Sequence, residues 1–387
     1  MPRERVLVRK VADLALAVQE ALDFLDYDFS GKKVWVKPNL LGPFAREEGV
    51  TTDPELVRQT VRQVLKRGAR ELWVADSPSG NIPGQTDEVG AKTGVAEASE
   101  GHFVDFSAEP VNLTMKSRFV SSISVFRIMN EADVILNLPV FKTHALTLLT
   151  GAIKNMYGVV IGGQKSRFHA IARSAEEFSE LVVDIYQAIP VPMLHIMDAL
   201  RGMDGQMGPS GGRVLKLDRL LAARNGVALD AVMAMMAGRS PDRIPIVRIA
   251  GARGLGPTDR ENIEITGDYE VIPGFQAPSA AIATSVGGFV RFGYNLFLRR
   301  PVLQAELCTR CGKCVENCPV QAISPNLTTK DTKEAGALQG IAGSIPDFPK
   351  IDRKKCILCY CCSECCPEHA WRISAGLETV FRNLLRR

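Results

Sequence analysis

The first 307 residues of this 387-residue chain contain no cysteine, and all ten cysteines lie between Cys308 and Cys366. Scattered disulfides are thereby excluded, and the crowding argues for ligation of a cofactor. An excess of charge of one sign is also missing. The 47 basic and 43 acidic residues leave +4 at pH 7, and no basic stretch is interleaved with aromatics, so nucleic acid is not an expected partner. The most membrane-like segment, residues 279–298, is interrupted by Arg291 and several glycines. It falls short of the roughly 20 apolar residues of a spanning helix. Five charged residues among the first ten speak against a secretory signal. A soluble, cytoplasmic protein is expected, without a membrane partner. No flavin or nicotinamide fingerprint is visible.

What is there suffices for a sizeable core: 46% of residues are hydrophobic and 23% charged, within the globular range, and the length suggests two or three domains. Val11, Leu14, Ala15, Val18, Leu22 and Leu25 recur at helical spacing, and Lys33 to Lys37 reads as a strand. Thr52 or Asp53 can cap a helix with Pro54 in its first turn and Leu56, Val57, Thr60, Val61, Val64 and Leu65 on its buried stripe. Glu71 to Asp76 and Asp133 to Leu138 read as apolar strands, as do Met193 to Asp198 and Ile244 to Ala250. Ser174 and Glu177 form a capping box. Strands alternating with helices predict an α/β fold, an open sheet with flanking helices and ligands outside the strand ends. The α/β domain is expected over residues 1–300. Residues 301–374 then form a small α+β ferredoxin-like iron–sulfur domain with an insertion at 325–350. Residues 375–387 carry an amphipathic helical stripe that packs on the body or, as the alternative, meets a partner or membrane surface.

Cys308, Cys311, Cys314 and Cys318, followed by Pro319, have the C-x2-C-x2-C-x3-C-P spacing, and Cys356, Cys359, Cys362 and Cys366, followed by Pro367, repeat it. One loop wraps three thiolates round a cubane while the fourth cysteine swings to the other cluster. Two [4Fe-4S] clusters are expected, one on Cys308, Cys311, Cys314 and Cys366, the other on Cys356, Cys359, Cys362 and Cys318. Zinc also takes four thiolates, but its ligands usually come as two separated pairs. Cys361 and Cys365 stand outside this register, and packing near a cluster is their expected role, with redox activity or ligand substitution as alternatives.

Between Leu138 and His169 there is no acidic residue. Lys142, Lys154, Lys165 and Arg167 therefore lack local partners, and together with Thr143 and Asn155 they would favour an anionic ligand. Lys37 and Asn39 follow the first strand and can join them. His144 and His169 are the candidate proton carriers. Asp76 ends another strand and could hold a metal or a hydroxyl.

KPN at Lys37, KTH at Lys142, TGAIKNMYG from Thr150, KSRFH from Lys165 and GMDGQMGP from Gly202 resemble the domain of unknown function 362 family over about residues 30–270. That family often carries a C-terminal ferredoxin domain, and the resemblance implies an iron–sulfur protein without fixing a substrate. Ala199 to Met203 stand where an acid-rich loop would be expected, which weakens a metal site there. Two readings follow. One is an oxidoreductase that passes electrons to an anionic small molecule, with one cluster facing the Lys142 to His169 stretch. The other is a non-catalytic carrier or accessory protein whose basic surface docks a redox partner, a ferredoxin or reductase.

Overall fold

The computed structural model describes residues 3–78, 85–106, 108–278, 299–325 and 347–375. The chain opens with β1 (Glu4–Lys10), whose alternation buries Val6 and Val8 between charged neighbours. Helix α1 (Leu14–Leu25) follows, capped by Asp13, which accepts from the Leu16 N–H at 3.0 Å. Then come β2 (Lys33–Lys37) and α2 (Pro54–Lys66), the latter capped by Asp53 with Pro54 in its first turn, where a missing N–H costs nothing. β3 (Glu71–Val74), α3 (Gln85–Thr93) and α4 (Val95–Ala98) complete this part.

A hairpin of β4 (Pro110–Thr114) and β5 (Ser122–Phe126) stands apart from the main sheet. β6 (Val134–Asn137) and β7 (Val140–His144) are nearly continuous and break at Leu138-Pro139. Short β8 (Leu148–Thr150) and α5 (Ala152–Asn155) follow, then α6 (Gln164–Ile171) and α7 (Ala175–Ala188). Ser174 caps α7 by accepting from Glu177 N–H, and the Glu177 carboxylate accepts from Arg173 N–H.

Two long strands, β9 (Met193–Asp204) and β10 (Arg213–Ala223), precede α8 (Gly226–Met236), α9 (Pro245–Ala252) and β11 (Ile263–Gly267). The segment 244–250, expected as a strand, is therefore helical. Pro245 occupies its first turn, and Ile246, Val247 and Ala250 fall on one helical face, where they are buried. A short apolar run does not by itself separate the two periods.

The sheet runs β11-β1-β10-β9-β6-β2-β3, with β7 and β8 attached through β9. β3, β2, β6 and β9 are mutually parallel, so their carboxyl ends share one edge. The length of β9 lets it pair with β6 at Met193 to His195 and with β7 from Asp198 onward. In β2, Val34 and Val36 face the layer of α1 and α2, whereas Trp35 faces the layer of α7, as the two-residue period requires. Each such fully buried apolar side chain contributes about 1.5–3 kcal/mol.

The C-terminal part consists of β12 (Arg299–Leu303), α10 (Lys313–Glu316), β13 (Ile323–Ser324), β14 (Lys350–Ile351), α11 (Cys361–Glu364) and β15 (Trp371–Ala375). β12 pairs with β15 and β13 with β14, both antiparallel. Most of the expected insertion and the expected terminal helix lie outside the described residues. Among the described residues no helix is long and apolar enough to cross a membrane.

Candidate functional site

The carboxyl ends of β2, β3 and β6 bring the polar residues together. Lys37, the last residue of β2, is fully buried and its Nζ lies 2.6 Å from Asp76 Oδ1. The other Asp76 oxygen accepts from Leu40 N–H at 2.7 Å. Asp76 is thus spent on an ion pair and a loop anchor. A hydrogen-bonded ladder runs beside it: Lys142 Nζ donates to Asn39 Oδ1 (2.8 Å), Asn39 Nδ2 to Asn155 Oδ1 (2.7 Å), and Asn155 Nδ2 to Asn137 Oδ1 (2.7 Å). Lys142 Nζ also donates to Val50 O at 2.5 Å. Burial, and next the charge of Lys154, pushes Lys142 down to about 7.

The glycines of this region serve the close contacts. A Cβ on Gly158 would stand 2.4 Å from Asp76 Oδ1 and 2.6 Å from Lys37 Nζ. A Cβ on Gly151 would stand 2.1 Å from Asp230 Oδ1. Asp230, from α8, accepts from the N–H groups of Ala152 and Ile153 at 2.6 and 3.0 Å. It thereby orients α5, which carries Lys154 and Asn155.

A pocket opens above this network, lined by Asn39, Asp76, Ser77, Lys154, Asn155, Tyr157, Gly158, Lys165, Ser166, His169 and, from the C-terminal part, Asn317, Cys361 and Glu364. Lys154 Nζ lies 4.9 Å from the Tyr157 ring centroid and 5.6 Å from that of Phe178, and among the described residues it makes no hydrogen bond. Burial lowers its pKa, while Glu364 and Cys361 oppose the shift. Lys165 donates to the carbonyls of Ser77 and Pro78; burial pushes it down to about 7 even though part of the side chain remains accessible. His169 stacks on Phe178 with centroids 4.1 Å apart, and its Nδ1 has no partner. Burial, reinforced by Lys154, pushes His169 down to about 3. It is therefore neutral at pH 7.

The other expected site residues stand elsewhere. Arg167 is exposed on the opposite face of α6 and lines a separate groove with Phe168 and Ile171. Thr143 is buried beneath Gly208, whose Cβ would clash with the Thr143 carbonyl. His144 is outside the pocket: its Nδ1 accepts from Leu146 and Thr147 N–H, and its Nε2 lies 3.3 Å from Glu364 Oε1. Burial, with Lys154 next, holds this imidazole neutral as well. Asp204 receives the Arg213 guanidinium at 3.0 and 2.7 Å and the Gln276 N–H, so this acid is engaged within the fold.

The cysteines surround two cavities. Cys308, Cys311, Cys314 and Cys366 line one; Cys318, Cys356, Cys359, Cys361 and Cys362 line the other. The left-handed residues Arg310, Gly312 and Gln321 are matched by Leu358, Tyr360 and His369, at the same offset that separates Cys308 from Cys356. The two copies thus turn the backbone alike. Backbone N–H groups reach Cys308 Sγ (3.4 Å), Cys318 Sγ (3.1 Å) and Cys366 Sγ (3.3 Å), a donor set suited to thiolates bound to iron. Among the described residues no three Cys, His, Asp or Glu side chains are gathered to hold a single metal ion.

The α/β part contains the match to the domain of unknown function (DUF362) over residues 34–235, and a 4Fe-4S binding domain matches residues 301–324. The chain belongs to the DUF362 family. A thylakoid-associated protein of Synechocystis sp. is 30% identical to this family member over 240 residues, covering 60% of this chain and 71% of that protein. Among solved structures, the lactate racemase apoprotein of Thermoanaerobacterium thermosaccharolyticum has a TM-score of 0.39 and 14% identity, covering 60% of this chain and 57% of the other. A protein from Thermotoga maritima has a TM-score of 0.34 and 12% identity, with 55% of each chain covered.

Sequence reasoning missed Glu364, Cys361, Asn317 and Tyr157 as pocket residues. The approach of Glu364, Cys361 and Asn317 depends on how the C-terminal part docks, through Glu48 against His369 at 2.7 Å, Phe44 stacked on His369, and Ser210 Oγ donating to Ser363 O. Asn137 did carry a signal, a polar side chain ending a fully buried strand.

Proposed function

We propose that this DUF362 protein is an iron–sulfur oxidoreductase that delivers electrons to a small anionic substrate in the pocket between its two parts. In this reading Cys308, Cys311, Cys314 and Cys366 hold one [4Fe-4S] cluster, and Cys318, Cys356, Cys359 and Cys362 hold the second. When bound, such clusters supply single-electron transfer. Lys154 and Lys165 receive the anion, and neutral His169 offers its free ring nitrogen to it. The observation that carries the proposal is that Cys361 and Glu364 line the same pocket as Lys154, Lys165 and His169, so an acceptor bound there sits beside the second cavity.

The first cavity is bordered by Arg310, exposed Cys311 and Lys313, and we assign this side to docking of an electron-donating ferredoxin or reductase in the cytoplasm. The carrier alternative would use the basic stretch 142–169 for docking, whereas Lys154 and Lys165 of that stretch line a pocket with Cys361.

The test is anaerobic purification with iron and sulfide analysis, followed by mass spectrometry of small molecules released on unfolding. About eight iron and eight sulfide per chain are expected from two cubanes, together with an anionic compound that K154M fails to retain. Zinc in place of iron overturns the cluster assignment. Full iron with no anion retained by the wild type, and none bound on addition, leaves the carrier reading in its place.

A further inference from the structure

The second cavity has one thiol more than a cubane has corners. Cys361 lines it beside Cys318, Cys356, Cys359 and Cys362, and the same Cys361 lines the pocket of Lys154 and His169. Cys359 and Cys361, two residues apart, line this cavity together. The internal repeat explains the placement. Lys313 holds the corresponding position in the first copy, one residue after left-handed Gly312, as Cys361 follows left-handed Tyr360. Lys313 likewise lines its own cavity, so the motif's backbone brings this side chain to the cavity edge in both copies, and only the second copy puts a sulfur there. Cys365, the other extra cysteine, does not line that cavity; its Sγ approaches Cys362 O at 3.8 Å.

We propose that Cys361 is an alternative ligand to Cys359 at the corner of the second cluster that faces the pocket. This rests on the two-cluster reading above. The exchange would balance with nothing added: Cys361 would bind iron as a thiolate in place of Cys359, and the released Cys359 sulfur would take the proton that Cys361 gives up. No electron is consumed. Cys361 is also pocket wall, so its sulfur is shared by the second cavity and the pocket of Lys154 and His169.

The experiment compares wild type, C361A, C359A, C359A/C361A and C356A after anaerobic reconstitution, reading iron and sulfide per chain and the electron paramagnetic resonance spectrum of the reduced protein. C361A is expected to keep the wild-type iron content. C359A is expected to keep it too, with a changed spectrum from the second cluster. The double variant and C356A, which has no spare sulfur to replace it, are each expected to lose about half the iron. C359V, which fills the site without a ligand atom, provides the same comparison if C359A does not fold. Loss of half the iron from both C359A and C359V, as from the double variant, overturns the exchange and leaves the two-cluster reading intact. A wild-type chain with only one cluster's iron overturns that reading and the exchange with it.

Discussion

Replacing Lys37 with Met removes one member of the most enclosed ion pair beneath the pocket. Lys37 is 0% exposed and Asp76 4%, with Nζ and Oδ1 2.6 Å apart, so solvent cannot stand in for the lost ammonium. Breaking such a pair by deleting one partner costs about 3–5 kcal/mol, because a charge is left stranded in a low-dielectric site. Removing both partners strands no charge, so K37M/D76N, whose amide oxygen can still accept from Leu40 N–H, should recover most of that loss. The assay is anaerobic urea unfolding of wild type, K37M and K37M/D76N, followed by far-ultraviolet circular dichroism. A K37M deficit below about 1 kcal/mol, or a double variant as unstable as K37M, refutes the reasoning.

Gly151→Ala is expected to destabilise the chain by about 1–3 kcal/mol, the range for overpacking, since its Cβ would fall 2.1 Å from Asp230 Oδ1; thermal unfolding measures this, and retained stability with retained anion binding would show that α5 is not anchored this way. Lys165, pushed down to about 7 mainly by burial, should lose its proton as pH rises through that value. Inorganic phosphate or a dicarboxylate titrated calorimetrically should therefore bind more weakly at pH 8 than at pH 6 once the ligand's own ionisation is accounted for, and K165M should flatten the profile. An unchanged profile in K165M would remove Lys165 from the anion site.

Much of the framework was legible in local patterns. The period of α2, with Asp53 and Pro54 at its start, the Ser174 cap of α7, and the apolar strands β2, β3 and β6 each depend on residues within one turn or one strand. β1 was harder to see, because its apolar run is only Val6 to Val8 between charged residues and its partners β10 and β11 lie more than 200 residues away. The helix at 245–252 was misread because a run this short satisfies either period, and only its packing decides between them.

The family and a 4Fe-4S binding domain are legible in the chain alone, since their motifs are contiguous and ligand spacing within a loop is a local property. The sequence also placed cations after strand ends. Which of those cations line the pocket depends on packing: Lys142 finds Asn39 and Val50 from another segment, Arg167 turns to the far face of α6, and Lys154 and Lys165 remain in the pocket. Packing likewise decided that Cys361 and Glu364 complete that pocket, because docking of the C-terminal part depends on contacts such as Glu48 with His369, more than 300 residues apart. Partnering of buried charge is a non-local matter, and no pattern along the chain records which distant oxygen an ammonium will meet.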